Sequence, residues 1–162
     1  MALSSVLERL DYGGDDGCGV LGLHKDVQAS GAATRTLVPA ESGLTALFDT
    51  ASGVVYTLPA PIVGREFEFF ATVSVTSNSY KIITNSASVF LLGNVSGNTG
   101  TAGAGNSFAF NGSTHVACTM NGSTTGGLIG TWIRVKAIST TQWSITGLMV
   151  GSGTLATPAA TS

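Results

Sequence analysis

Residues 66–75 alternate between apolar and polar side chains, and this alternation predicts a β-strand with two different faces. Neighbouring side chains of a strand point to opposite faces, so one face packs on a core and the other meets solvent or a partner. Phe70 is the exception, an aromatic residue on the polar face, and it is therefore a candidate contact residue. The apolar face carries Phe67, Phe69, Ala71, Val73 and Val75, and the polar face carries Glu66, Glu68, Thr72 and Ser74.

Short segments of similar character recur along the chain and are separated by Gly, Asn, Ser and Thr. The dipeptides Asn111-Gly112 and Asn121-Gly122 supply the positive φ angles that tight hairpins need. Many short strands with such turns are typical of a sandwich or barrel, so we expect an all-β fold, an antiparallel β-sandwich or jelly-roll-like barrel. Besides residues 66–75, strands are predicted at residues 36–38, 44–48, 54–58, 80–84, 89–92, 107–110, 115–119, 131–138 and 142–146, the last two forming a hairpin.

The pattern divides the chain into an N-terminal arm at residues 1–33, a β domain at residues 34–149 and a flexible C-terminal tail at residues 150–162. The tail is expected to be disordered or extended unless it docks. Within the β domain, residues 93–106 read as a long loop that is mobile or is ordered by a neighbour. The arm begins with apolar residues at helical spacing, and we expect a short helix or an extended segment that packs on a partner. Its candidate contact residues are Leu3, Leu7, Leu10 and Tyr12.

Charge is scarce: only 10% of the chain is charged, and the formal net charge is −2. Catalytic sites are usually built from clustered ionisable groups, so the composition argues against an enzyme. The lack of a basic patch removes the main driving force for nucleic-acid binding. No apolar stretch approaches the length of a membrane span, and residues 1–10 do not form a secretory signal, so we expect neither a membrane nor an exported location. A weakly charged surface favours self-association.

The candidate ligand and nucleophile groups are few. Asp11, Asp15 and Asp16 could attract calcium, but their spacing departs from that of an EF-hand loop, and a solvated turn is the simpler interpretation. His115 and Cys118 lie three apart on a predicted strand and therefore point to opposite faces, which is poor geometry for a nucleophilic pair.

Three other groups of residues also give no support for a catalytic or metal site. His24 with Lys25 and Asp26 has no feature beyond its composition that indicates acid–base chemistry. Glu66 and Glu68 share one face but have no obvious partner carboxylate, as glycoside hydrolysis would require. Cys18 and Cys118 could form a single disulfide or remain reduced thiols. We therefore predict no catalytic residue, no cofactor and no metal.

Trp132 and Trp143 flank the final predicted hairpin and complete the set of candidate contact residues. Aromatic side chains on an exposed sheet face could stack on sugar rings, which is the carbohydrate-binding alternative. Packing in the core or at a subunit interface is the other interpretation, because aromatic residues contribute large buried areas there.

From residue 34 onward the chain resembles β-rich virion proteins of tailed bacteriophages, namely head decoration (cement) proteins and related modules of tail and fibre proteins. The resemblance implies a β-sandwich or jelly-roll-like domain, often trimeric, on the outside of a capsid. It rests on the order and spacing of local features: Thr34-Arg35-Thr36-Leu37, Glu41-Ser42-Gly43, Leu47-Phe48-Asp49, Val55-Tyr56-Thr57-Leu58-Pro59-Ala60-Pro61, Gly64-Arg65-Glu66-Phe67-Glu68-Phe69, Ser79-Tyr80-Lys81-Ile82-Ile83-Thr84, Leu92-Gly93, Gly126-Gly127-Leu128-Ile129-Gly130-Thr131-Trp132-Ile133 and Gln142-Trp143-Ser144-Ile145-Thr146-Gly147.

The resemblance and the composition together predict a capsid decoration protein. Its expected partners are the major capsid protein and two further copies of itself, as a homotrimer, with no nucleic acid and no membrane. Its expected location is the outer capsid surface of the virion, after assembly in the host cytoplasm. A receptor-binding or carbohydrate-binding module of a tail fibre is the alternative, because the pattern recurs in different parts of the virion.

Overall fold

The computed structural model describes residues 26–100 and 105–162, which fold as two β-sheets packed face to face. The predictions that concern the N-terminal helix, Leu3, Leu7, Leu10, Tyr12, Cys18 and the aspartate cluster lie outside these residues. The strands are β1 (Val27–Gln28), β2 (Thr34–Thr36), β3 (Thr45–Phe48), β4 (Val55–Thr57), β5 (Glu66–Ala71), β6 (Tyr80–Ile83), β7 (Phe90–Asn98), β8 (Gly105–Asn111), β9 (Ala117–Met120), β10 (Trp132–Ala137), β11 (Gln142–Val150) and β12 (Ala159–Ala160), with a 3-10 turn at Pro39–Glu41.

The larger sheet has seven strands in the order β1-β3-β5-β10-β11-β7-β8, and the smaller has five in the order β12-β9-β6-β4-β2. From β1 to β6 the chain crosses to the other sheet after every strand. Successive strands of one sheet therefore run in the same direction, and β1-β3-β5 and β2-β4-β6 are parallel sets. The β7–β8 and β10–β11 pairs are antiparallel hairpins.

The predicted β-sandwich is confirmed, but its sheets are mixed and not antiparallel throughout. The prediction assumed that a turn joins strands of the same sheet. Several turns instead carry the chain between sheets, among them Ser52-Gly53 between β3 and β4. Alternation of side chains fixes which face of a strand is buried, whichever direction its neighbour runs.

Aromatic side chains from both sheets meet in the core. Phe48 on β3 stacks on Tyr80 on β6 with ring centroids 4.4 Å apart, and Tyr56 on β4 meets Phe48 edge to face at 5.3 Å. Both tyrosines are buried and still donate hydrogen bonds: the Tyr56 hydroxyl to Leu47 O at 2.7 Å, and the Tyr80 hydroxyl to Val73 O at 2.9 Å. Both buried tyrosine hydroxyls thus have hydrogen-bond partners where the sheets join.

Two segments predicted to lack order have defined places in the sandwich. Most of the predicted loop at residues 93–106 belongs to β7 and β8, because β11 pairs along the whole of β7. The C-terminal tail is docked and not free: β12 pairs with β9, and Leu155 is only 9% exposed. Backbone pairing orders these Gly- and Ser-rich segments, although their own side chains could not form a core.

Candidate interaction surface

The outer face of the seven-stranded sheet carries a continuous line of apolar side chains. Leu47, Phe70, Trp132 and Leu148 are directly opposite one another on the adjacent strands β3, β5, β10 and β11. We call these four residues the apolar row. Phe70 and Leu148 are each 38% exposed, and Leu47 and Trp132 are half-buried. Cross-strand partners in a sheet contact one another on one face, so the row forms a single ridge about three strand spacings, or ~14 Å, long.

A cluster of charged residues lies beside the apolar row on the same two central strands. Glu66 and Glu68 on β5 lie opposite Lys136 and Arg134 on β10. Arg134 Nη2 lies 2.5 Å from Glu66 Oε2, and Arg134 Nε lies 3.9 Å from Glu68 Oε1. The hydrogen bond to Glu66, and then the charge of Glu66, raise the pKa of Arg134. The guanidinium joins both carboxylates, so the formal charges of these four residues sum to zero.

The other half of this face is neutral. The strands β11, β7 and β8 contain no Asp, Glu, Lys or Arg. Their outward side chains include Thr146, Asn94 and Ala109 in one register row and Ser96 and Ser107 in the next. Asn94 and Ser107 hydrogen-bond to each other across β7 and β8, at 2.6 and 2.8 Å. The result is an uncharged area of mostly small polar side chains next to the apolar row; this area also includes Leu92, which is 37% exposed.

Of the three predicted contact residues within the described ranges, two lie on the outer face of the larger sheet and one is buried. Phe70 and Trp132 are cross-strand partners on the outer face. Trp143 is 0% exposed, so its prediction as a surface contact is wrong. It belongs to the inward phase of β11 with Ile145, and it packs against Phe67 with ring centroids 5.9 Å apart. An aromatic ring of this size gains most by full burial between the sheets.

Two members of the apolar row were missed by the sequence reasoning, Leu47 and Leu148. Leu148 falls on the polar phase of β11, as Phe70 does on β5, and that mismatch was a usable signal. It was missed because the strand was predicted to end at residue 146, whereas β11 continues to Val150. Leu47 sits in a strand of four residues, which is too short for the phase to be distinctive.

Outside this face, several titratable side chains are held within the fold. Cys118 is a buried free thiol, and burial raises its pKa to about 12. His115 Nδ1 accepts a hydrogen bond from the backbone N–H of Asn111 at 3.1 Å. A small depression beside β1 is lined by Asp26 and Glu41, but Glu41 is held by Arg35 at 2.6 Å. Among the described residues, no three His, Cys, Asp or Glu side chains are grouped so as to hold a metal ion.

In comparisons with protein-family models, curated proteins and solved structures, nothing matched this chain. Within residues 26–100 and 105–162 there is no helix with the length and apolar character of a membrane span.

Proposed function

We propose that this protein is a bacteriophage capsid decoration protein. It binds the outer surface of the assembled head, contacts the major capsid protein, acts as a homotrimer, and stabilises the capsid lattice. The observation that carries this proposal is the apolar row: four apolar side chains on a rigid sheet, where a soluble monomer would normally expose polar groups. A contiguous apolar patch with a polar surround is typical of a protein–protein contact.

The surround of the apolar row supports binding to another protein surface. Arg134 already neutralises Glu66, so docking against this face does not bury an isolated charge there. The neutral strands beyond it can be covered without repelling a partner. Exposed aromatic residues such as Phe70 and Trp132 are the types that contribute most binding energy at interfaces.

The proposed activity is stabilisation by mass action. A protein that binds the assembled lattice, and not the separate subunit, shifts the equilibrium toward the lattice. Three linked copies convert individually weak contacts into strong attachment, because the second and third contacts become intramolecular. No catalytic group is needed for this activity, and the function is distributed over a surface.

Cosedimentation with expanded heads of the source phage tests the proposal. The wild-type protein is expected to pellet with heads that lack it, and Phe70→Ala combined with Leu148→Ala is expected to weaken binding by about tenfold or more. Val63→Ala is the matched control, since Val63 is 63% exposed and lies in the β4–β5 connection, near the opposite end of β10 from Trp132. Wild-type protein that stays in the supernatant, or equal binding by the double variant and the control, would contradict the proposal.

A second candidate function is a carbohydrate-binding or receptor-binding module of a tail fibre. Trp132 favours it, because a partly exposed indole beside Phe70 and near Thr146 offers a stacking surface with polar neighbours. A glycan array with the wild type and with Trp132→Ala distinguishes the two. Glycan binding that Trp132→Ala abolishes supports this second function, and binding that is absent or indifferent to Trp132 removes it.

A further inference from the structure

Among the described residues, no strand pairs with the outer side of β8, the last strand of the larger sheet. It is seven residues long and pairs with β7 through an unbroken register from Asn111 to Gly105. The N–H of Gly112 donates to Leu91 O at 2.9 Å, which sets the alternation of the hydrogen bonds along this hairpin. By that alternation the backbone of Phe108 and Phe110 faces β7, and the backbone of Ser107 and Ala109 faces away. Within the described residues, no backbone hydrogen bond outside the β7 pairing involves residues 105–110.

This free side carries none of the usual protection. Exposed edge strands are commonly shielded by Lys, Pro, a bulge or a very short length, because an open edge pairs with any other strand. The sequence of β8, Gly105–Asn111, contains no charged residue and no proline, and its register with β7 has no bulge. Residues 105–107 are exposed on both faces of the strand. β8 is therefore suited to accept one more strand.

The other edge strands of the described sheets are shorter than β8. β1 and β12 have two residues each, and β2 has three. None of them offers a partner for the length of β8. A second β8 does, because antiparallel pairing of a strand with its own copy about a twofold axis matches the lengths automatically.

We propose that β8 pairs antiparallel with β8 of a second copy of this chain, joining two seven-stranded sheets into one continuous sheet. Such pairing places the same strand opposite itself, so a charged side chain near the axis would face its own copy at short range. β8 and its neighbours β7 and β11 are free of charge. Ser107 and Ala109 are small, so they do not hold the two backbones apart. Among the described strands, β8 is the one sheet edge of this length, so the contact joins copies two at a time.

This inference does not depend on capsid binding, and it can fail or succeed independently of the proposed function. If the protein forms trimers, each trimer presents three β8 edges, so the same contact joins trimers to one another and the expected mass is at least twice that of the smaller unit. On a lattice it would connect neighbouring copies side by side.

Light scattering coupled to size-exclusion chromatography, over a wide range of protein concentration, tests the pairing. Ala109→Pro removes an outward N–H without removing a hydrogen bond to β7, and Ala109→Lys places a charge on the edge; Ala109→Ser is the matched control. The wild type and the Ser variant are expected to have at least twice the mass of the Pro and Lys variants at high concentration. Circular dichroism identifies a variant that fails to fold, and the Lys variant then carries the test.

Hydrogen exchange of the intact chain gives the second measurement. The amides of Ser107 and Ala109 are expected to be protected at high protein concentration and to exchange freely on dilution, whereas the amide of Phe108 stays protected throughout. Equal masses for all four proteins, or free exchange of Ser107 and Ala109 at every concentration, would overturn the proposal.

Discussion

Trp132 on β10 lies directly opposite Phe70 on β5, and the pair sits on the outer face of the larger sheet. Eleven residues later, Trp143 on the paired strand β11 lies on the inner face and is fully buried. One hairpin thus places its two tryptophans on opposite sides of the same sheet. The surface proposal depends on the first, and the stability of the sandwich depends on the second.

The two tryptophans should be distinguishable by fluorescence. With Trp132→Phe only Trp143 emits, and we expect a short emission wavelength and weak quenching by acrylamide. With Trp143→Phe only Trp132 emits, at a longer wavelength and with stronger quenching. Equal quenching of the two variants would contradict the placement.

In urea unfolding, Trp143→Ala should destabilise the fold by about 3–5 kcal/mol and Trp132→Ala by less.

Acid should weaken the fold through Asp49. Its carboxylate accepts hydrogen bonds from the backbone N–H of Ser30, at 3.2 Å, and from the Ser30 hydroxyl. Burial raises the pKa of Asp49, but these hydrogen bonds outweigh burial, and the pKa lies below its ordinary value of 3.8. A lowered folded-state pKa contributes stability that is present above the ordinary value and is lost as the pH falls through the folded one.

The stability difference between the wild type and Asp49→Asn should therefore be largest near neutral pH and should shrink below about pH 4. Urea unfolding at a series of pH values measures it. Ser30→Ala should reduce this pH-dependent part without abolishing it, since it removes the Ser30 hydroxyl donor and keeps the backbone N–H. A difference that stays constant from pH 7 to pH 3 would contradict this role.

The thiol of Cys118 should be inert in the folded protein. It is fully buried, and its pKa of about 12 leaves almost no thiolate at pH 8. In a Cys18→Ser background, a thiol reagent such as Ellman's reagent should react only as fast as the protein unfolds. Urea should restore rapid reaction. Immediate reaction under native conditions would show that the thiol is accessible.

Gly122 should resist substitution more than another glycine with a similar backbone angle. Its φ is +77°, and a Cβ at this position would lie 1.9 Å from the carbonyl oxygen of Val75. Gly153 has φ +69° with nothing within 4 Å of such a Cβ. Gly153→Ala should cost about 1–2 kcal/mol from the left-handed conformation alone. Gly122→Ala should cost roughly 3 kcal/mol or more. Similar unfolding midpoints for the two variants would be inconsistent with the close contact.

The local pattern predicted well wherever a strand was long and alternating. The final hairpin was predicted, and β10 and β11 form it. Its inward side chains are all buried, namely Ile133, Val135, Ala137, Trp143 and Ile145, so only the surface role predicted for Trp143 was wrong. The strand at residues 66–75 was predicted too long, because β5 ends at Ala71. Beyond it the backbone of Val75 instead donates to Gly127 O at 3.1 Å, a contact with a distant loop that alternation alone does not reveal.

Long-range pairing explains the larger differences. Residues 93–98 were read as loop because glycine and asparagine dominate them, yet they form the C-terminal two thirds of β7 beside β11. Gly93 is required there, since a Cβ would lie 2.1 Å from the carbonyl oxygen of Ile145. A weak strand former is thus held in place by a neighbour 52 positions away in register. Long-range pairing also explains why β12 docks on β9.

For the apolar row too, the local feature could be predicted and the long-range arrangement could not. Phe70 was identified because it breaks the polar phase of one strand, and that is a local observation. Its alignment with Leu47, Trp132 and Leu148 was not predictable, because it depends on the registers between four strands.

The sequence by itself indicated an all-β sandwich or barrel, the positions of the clearly alternating strands, and which face of those strands is buried. These properties follow from a period of two residues and from turn chemistry, and both act over a few neighbouring positions. The tertiary structure alone decided which sheet each strand joins, that β1-β3-β5 and β2-β4-β6 are parallel, and which outward residues are aligned across the sheet. Those properties are set by hydrogen bonds between distant segments, and the same alternating strand satisfies its own pattern in either sheet and in either direction.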